Sequence, residues 1–431
     1  MRRLRTVSAG RPGLGYLVVF AVLLALPVTL VQGAAASSTP KTVLNGLALP
    51  AETAITQSGD LYFTQQVSAD TVTLSRLARG SSKPIEIYRL VGLRPYLWDI
   101  HFDPIGDLIF ITSVATDPSS RRWALTQLDP RIGIASELAV TTGVENPTTG
   151  SYGSLEPLLS GTEIDSDGVD RAGTIYFSEH SIDPGTGAQV ADLLALDRGR
   201  RWGARRPPQH APASREVAHF AGSSGSDQIE YLAVAQTGDV YLIEDGDPWN
   251  LYQVSPAGRL RALVTGTANG AGFSRFNGTG LDAAGNLYFV AKSFNGWTGC
   301  NTSSTTELVS RIDARDLSDW TSAPTVEPVA QRTYNGDMVG WSGSSSFFRV
   351  DEAGDVYWVQ SPWDCSSWTA TANEVLGVAR GQGQQAVLYE EPEPASFNSS
   401  AFIWGSLALA TDDGAVYIAS LSAGDLIEVR R

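Results

Sequence analysis

Three carboxylates fall within six residues in Asp165-Ser166-Asp167-Gly168-Val169-Asp170. Hard oxygen donors around a glycine-bearing turn are what Ca2+ takes, so this spacing reads as a divalent-cation site, with a solvated acidic turn as the other reading. It is not an EF-hand, because no bidentate glutamate follows at the required distance. A second set of oxygen donors comes from Glu230 and Asn277, each standing eight residues before a glycine in a recurring hairpin. Equal spacing puts them at equal height in neighbouring repeats. There they could hold a divalent ion, polarise a substrate carbonyl, or bind channel water. Asp99, His101 and Glu163 are the acid-base candidates closest to that level.

Two further sets of side chains suggest recognition. Trp98, Trp249, Trp297, Trp341, Trp363, Trp368 and Trp404 are seven of the chain's 11 tryptophans, and all fall in loops or at strand ends. Indole faces offer flat, amphipathic contact area for a glycan, a peptide or a protein partner; individual tryptophans also fill gaps between packed sheets. Cys300 and Cys365 are the only cysteines, one in each of two neighbouring repeats. In an exported protein they read as a disulfide, with two free thiols as the other reading. Of the four histidines, His101 and His180 lie at strand positions that could approach a site, while His210 and His219 lie farther along the third repeat. A lyase would draw its base and acid from histidine and tyrosine, and a structural role is open to each histidine. No serine nucleophile elbow occurs, and no segment has a helix period.

These residues need a scaffold, and the sequence supplies one seven times over. Each copy is an apolar stretch, a tight acidic or glycine turn, and an aromatic-bearing stretch, as in Ser58-Gly59-Asp60-Leu61-Tyr62-Phe63 or Ala353-Gly354-Asp355-Val356-Tyr357-Trp358. The turn glycines are 59, 106, 173, 238, 285, 354 and 414, roughly 47 to 69 residues apart. Such hairpins, each followed by two more apolar stretches, predict an all-β fold: a seven-bladed β-propeller of four-stranded antiparallel blades. The seventh unit ends after its third strand, so the start of the domain, Thr42-Val43-Leu44, is expected to complete it and close the ring. Aligned on their glycines, the first strands place Ala51, Trp98, Glu230, Asn277, Ser346 and Ser406 at one height. The third repeat is left out of that register on the expectation of an insertion in an enlarged turn.

The first 36 residues are set apart. Arg2, Arg3 and Arg5 precede an apolar run and then Gly33-Ala34-Ala35-Ala36, the pattern of a secretory signal peptide, leaving 37–431 as a single propeller domain. The apolar run is short for a membrane span of about 20 residues, so membrane attachment is expected only through an uncleaved signal. A net charge of −15 argues against nucleic acid as a partner. The expected protein is secreted or held in the cell envelope, monomeric, with a divalent cation such as Ca2+ and no organic cofactor.

The hairpin units resemble those of NHL-repeat propellers and of the gluconolactonase and virginiamycin B lyase-like propellers. The stretch Ser274-Arg275-Phe276-Asn277-Gly278-Thr279-Gly280-Leu281-Asp282 is similar to the gluconolactonase segment whose asparagine ligates the catalytic metal. That resemblance implies Asn277 as a metal ligand and a metal-dependent lactonase-like hydrolase or lyase. Where that family has an aspartate in the next blade, this chain has Ser346, and its first-blade glutamate corresponds at best to a displaced Glu52. Ligand recognition on the tryptophan-bearing loops is the leading functional expectation, the axial hydrolase or lyase the second, and a structural envelope role the third.

Overall fold

The computed structural model describes residues 39–430 apart from 118, 146–157, 184, 187–188, 198–213, 222–227, 246–248, 267–274, 296–303, 335–347, 361–362, 365–368, 371, 384, 393–406, 413 and 421–422; at some strand ends it describes the backbone alone. Seven four-stranded antiparallel blades, with strands a to d running from the axis outwards, form a β-propeller. Blade 1 is Pro50–Ile55, Leu61–Ser68, Thr71–Leu77 and Ile85–Val91; blade 2 is Leu93–Phe102, Leu108–Ala115, Ser120–Asp129 and Ile134–Glu145. Blade 3 is Leu158–Val169, Ile175–Ile182, Gln189–Leu196 and Arg215–Ala221; blade 4 is Gln228–Val234, Val240–Asp245, Asn250–Val254 and Leu260–Thr265. Blade 5 is Arg275–Leu281, Leu287–Asn295, Ser304–Ile312 and Val326–Tyr334, with a five-residue helix, Ala314–Ser318, between its outer strands. Blade 6 is Phe348–Val350, Val356–Gln360, Ala372–Val378 and Gln385–Pro392. Blade 7 is Leu407–Asp412, Ala415–Ser420 and Asp425–Arg430, completed by Lys41–Leu44.

The ring closes as the missing strand required. Lys41–Leu44 pairs antiparallel with Asp425–Arg430, Thr42 standing opposite Ile427, so the first strand of the domain is the outer strand of its last blade. Each interface between neighbouring blades has its own apolar cluster. The closing one joins Leu61, Phe63 and Leu77 of blade 1 to Ala410, Ala419 and Leu426 of blade 7.

The recurring turn holds its shape by a local capping device. In blade 5, Asp282 accepts the backbone N–H groups of Ala284 and Asn286 at 2.9 Å on one oxygen, and faces the Tyr288 hydroxyl at 3.3 Å with the other. That hydroxyl also limits the next blade. A Cβ at Gly354, whose φ is +88°, would stand 2.8 Å from it. The motif therefore serves both the hairpin and the packing of one blade on the next.

Two expectations need correction. Residues 165–169 belong to strand a of blade 3, not to an enlarged turn, so this blade registers with the others. The stretch from Thr141 to Ser160, whose composition reads as a long loop, is also partly strand: Glu145, Val144 and Gly143 pair with Leu158, Ser160 and Gly161, joining blades 2 and 3 into one eight-stranded sheet. Backbone amides and carbonyls that a loop would leave to water are here satisfied across the blade boundary.

Candidate active site in the axial channel

Pairing between strands a and b fixes a common height. Ala54, His101, Gly168, Ala233, Gly280, Arg349 and Ala410 stand opposite the third residue after the turn glycine in their blades. Five of these seven are Ala or Gly. At two of them packing explains why: a Cβ at Gly168 would lie 2.5 Å from Val234 Cγ2 of the next blade, and one at Gly280 would lie 2.7 Å from Val350 Cγ2. His101 and Arg349 break the rule. Together with the residue that follows each, the seven line an axial cavity of about 350 Å3 at the hairpin-turn end of the channel.

Just before this level, strand a carries a β-bulge in each of the first five blades. Two residues, Ala51-Glu52, Asp99-Ile100, Asp165-Ser166, Tyr231-Leu232 or Asn277-Gly278, oppose one on strand b. Bulges re-aim side chains and cluster near functional sites. The amides they free find partners: Glu52 N donates to Thr64 Oγ1, and Ser166 N to Ser178 Oγ. Asp99 adopts φ +58°, the left-handed region, and its Oδ2 accepts the Asp167 N–H of blade 3 at 3.1 Å.

The bulges gather acid-base groups behind the cavity wall. His101 Nε2 lies 3.5 Å from Asp99 Oδ1 and 3.5 Å from Asp167 Oδ1. Asp99 and Asp167 are 1% and 0% exposed. Among the described residues neither carboxyl oxygen of Asp167 has a hydrogen-bond partner, nor has His101 Nε2. Burial, reinforced by the negative charge of Asp99, pushes the Asp167 carboxyl well above the usual range, so it favours the protonated form. Across the channel, burial presses Arg349 down while the carboxylates of Glu52 and Asp99 hold it up. Its Nη1 donates to the Phe348 carbonyl at 3.1 Å. Arg349 thus reaches electrostatically from blade 6 past the small Ala410 of blade 7 to blades 1 and 2.

Other candidates lie elsewhere. Asp170 caps its own turn, accepting Thr174 N–H at 2.8 Å, so it and Asp167 serve different partners and do not share a turn site. Asp165, Glu230 and Asn277 occupy equivalent heights of strand a, and their side chains lie outside the described residues. Glu163 pairs with His180 across blade 3 and does not line the cavity. His180 is structural: its Nε2 accepts Ile229 N–H at 3.1 Å, and burial lowers its pKa to about 4. His219 contacts Asp192 at 2.6 Å on the outer strands, and His210 lies outside the described residues.

Trp98 and Trp249 pack against apolar inter-blade clusters. Trp363 is described only as backbone, in a two-residue strand, and Trp297, Trp341, Trp368, Trp404, Cys300 and Cys365 lie outside the described residues. Among the described residues no group of three or more His, Cys, Asp or Glu side chains is arranged to hold a metal ion.

No family model and no curated protein matches the chain. Solved structures similar to it include a polysaccharide lyase, 8% identical, with 88% of this chain and 89% of that one covered and a TM-score of 0.47. The PQQ-bound aldose sugar dehydrogenase of Streptomyces coelicolor is 14% identical over 79% and 96% of the two chains, with a TM-score of 0.40. The PQQ domain of pyranose dehydrogenase from Coprinopsis cinerea is 13% identical over 90% and 94%, with a TM-score of 0.41.

Arg349 stands five residues before its turn glycine, three residues nearer the turn than the level of Glu230 and Asn277. Counting five residues back in blades 1 to 6 gives Ala54, His101, Gly168, Ala233, Gly280 and Arg349 directly, and the two long side chains stand out.

Proposed function

We propose that the protein is an acid-base enzyme, a lyase or a lactone or ester hydrolase, whose active site is the axial cavity with His101 as the proton-transfer residue. The observation that carries this reading is the cluster behind His101. A fully buried carboxyl without a hydrogen-bond partner among the described residues is costly, about 1–3 kcal/mol or more for the desolvated group, and such costs concentrate at functional sites. Here it sits 3.5 Å from a histidine that opens on a cavity.

Each residue has a distinct task. Asp99 and Asp167 face Nε2 of His101 and fix the ring between blades 2 and 3, leaving Nδ1 for a substrate or an attacking water. Burial and the charge of Asp99 favour the protonated form of Asp167, which limits the confrontation of two buried like charges. Separations of 3.5 Å are long for hydrogen bonds, and ligand binding is expected to tighten them. No step is routed through a metal. A divalent ion at Glu230 and Asn277 is a separate proposal, carried by their equal spacing from the turn glycines and, for Asn277, by the family resemblance.

Export through residues 1–36, a Cys300–Cys365 disulfide and glycan or protein recognition by the tryptophan-bearing loops belong to the same proposal for an extracytoplasmic enzyme. Because Trp98 and Trp249 are engaged between blades, recognition would rest on Trp297, Trp341, Trp363, Trp368 and Trp404.

The test is turnover on a panel of small lactones, esters and uronate-containing oligosaccharides, with wild type beside His101→Gln. The expected result is a reaction that His101→Gln lowers by roughly two to four orders of magnitude while its Tm stays near wild type. Undiminished turnover in a folded His101→Gln protein would sink the reading.

A further inference from the structure

We infer that Arg349 is a positioning residue of the axial site: from blade 6 it supplies the counter-charge to two buried carboxylates, Glu52 of blade 1 and Asp99 of blade 2, and through Asp99 it acts on His101. The positioning role rests on the acid-base reading of His101; the counter-charge does not.

Buried charge has to be balanced at this level of the channel. Glu52 and Asp99 are 6% and 1% exposed, and both stand in strand-a bulges just before the height of the cavity. Carboxylates removed from water in this way need an opposite charge or hydrogen-bond donors. One donor is the Asp167 N–H, which Asp99 accepts at 3.1 Å. Of the seven residues at the next level of strand a, two have side chains that can carry a positive charge, His101 and Arg349. His101 already faces both Asp99 and Asp167.

Arg349 is placed to serve the two carboxylates together. It stands at the height of His101, on a strand of blade 6 that is three residues long. Between blade 6 and blade 1 lies blade 7, whose residue at this height is the small Ala410. Arg349 Nη1 is fixed on the Phe348 carbonyl at 3.1 Å, and a guanidinium has further N–H donors for other partners. Glu52, Asp99 and Arg349 each have a partner. Burial presses Arg349 towards its neutral form, and the two carboxylates oppose that, Glu52 more than Asp99. A lysine ammonium gives up its proton far more readily when buried, which is a reason for arginine at this position.

The consequence reaches His101 through one side chain. Asp99 accepts the Asp167 N–H with Oδ2 and faces His101 Nε2 at 3.5 Å with Oδ1. Its charge also adds to burial in raising the Asp167 carboxyl. As the counter-charge to Asp99, Arg349 supports the carboxylate that orients the imidazole, and this role needs no contact with the reacting atoms.

The experiment is urea unfolding of the full chain at about pH 4 and about pH 7, for wild type and Arg349→Gln, each also in a background carrying Glu52→Gln and Asp99→Asn. The pairing acts only while the carboxylates are ionised, so its contribution is present at neutral pH and lost as pH falls through their folded-state range. Arg349→Gln should therefore lower the urea midpoint roughly twice as much or more near pH 7 as near pH 4, and Arg349→Lys should recover part of the loss. In the background without the two carboxylates the loss should be small and the same at both pH values. A loss independent of pH, or one as large without the carboxylates as with them, would overturn the inference, because a packing role has no such dependence. If Arg349→Gln does not fold alone, folding restored by Glu52→Gln and Asp99→Asn supports the pairing, and failure to restore it overturns the pairing. Turnover on the lactone, ester and oligosaccharide panel tests the positioning role: Arg349→Gln should lower kcat by roughly tenfold to a hundredfold with KM little changed, and Arg349→Lys should recover part. An unchanged kcat in folded Arg349→Gln overturns that role. If the urea result holds while His101→Gln leaves turnover undiminished, the counter-charge stands and the positioning role falls with the acid-base reading of His101.

Discussion

His101 of blade 2 and Asp167 of blade 3 meet across a blade boundary, Nε2 to Oδ1 at 3.5 Å, with the carboxyl fully buried. Because burial and the charge of Asp99 raise its folded-state pKa, Asp167 binds a proton in the native protein that the unfolded chain has already released. Stability therefore falls as pH rises from about 4, the ordinary aspartate value, through the raised one. Asp167→Asn cannot ionise. It should remove this slope, so that the Tm advantage of the variant over wild type widens between mildly acidic and neutral pH. Calorimetric melts across that range check it, and parallel curves would contradict the assignment.

His180 gives the opposite dependence. Burial lowers its pKa from 6.5 to about 4, and as a neutral acceptor it takes the Ile229 N–H. Below pH 6.5 the unfolded chain binds the proton and the native state resists it, so stability is lost as pH falls from 6.5 towards 4, by up to about 3 kcal/mol. His180→Gln keeps an acceptor without the titration. Its denaturant midpoint should depend less on pH in this window than that of wild type.

How far the sequence reaches can be judged at individual positions. Turn chemistry is local, so Asp282-Ala283-Ala284-Gly285 announces its hairpin without reference to the rest of the fold, and seven such hairpins announce blades. Ring closure was also legible, because a blade lacking its outer strand must find one. The bulges were not. Whether Asp99-Ile100 opposes one residue or two depends on pairing with strand b, and no composition rule locates it. For the same reason Asp167 reads as part of an acidic turn until the pairing of Asp167 with Phe177 places it in a strand beside the axis. Arg349 lies in a three-residue strand where only the alignment of all seven blades reveals a long side chain among small ones.

The packing rule behind that alignment is itself testable at Gly168. Its added Cβ would stand 2.5 Å from Val234 Cγ2, a distance no relaxed contact keeps. Gly168→Ala should destabilise the protein by about 1–3 kcal/mol through overpacking. Val234→Ala, itself a cavity-forming change, should cost less in the Gly168→Ala background than in wild type. Urea unfolding of the two single variants and the double variant measures that coupling, and strict additivity would show that the two residues do not confront each other.

Between blades 5 and 6 lies an ion pair whose contribution can be separated from that of its parts. Lys292 and Glu307 are cross-strand partners, 3% and 1% exposed, with Nζ 3.6 Å from Oε1; the other glutamate oxygen accepts the Trp358 indole N–H at 3.0 Å. Removing one partner of a buried pair strands the other charge, whereas replacing both by apolar residues of similar volume removes the desolvation cost of the two together. Lys292→Met should therefore cost about 3–5 kcal/mol, and Lys292→Met with Glu307→Leu distinctly less, despite the indole N–H that the double variant leaves unpaired. Urea midpoints for the single and double variants decide it. A double variant at least as unstable as Lys292→Met would mean that the Glu307–Trp358 hydrogen bond, and not the charge pairing, is what this interface depends on.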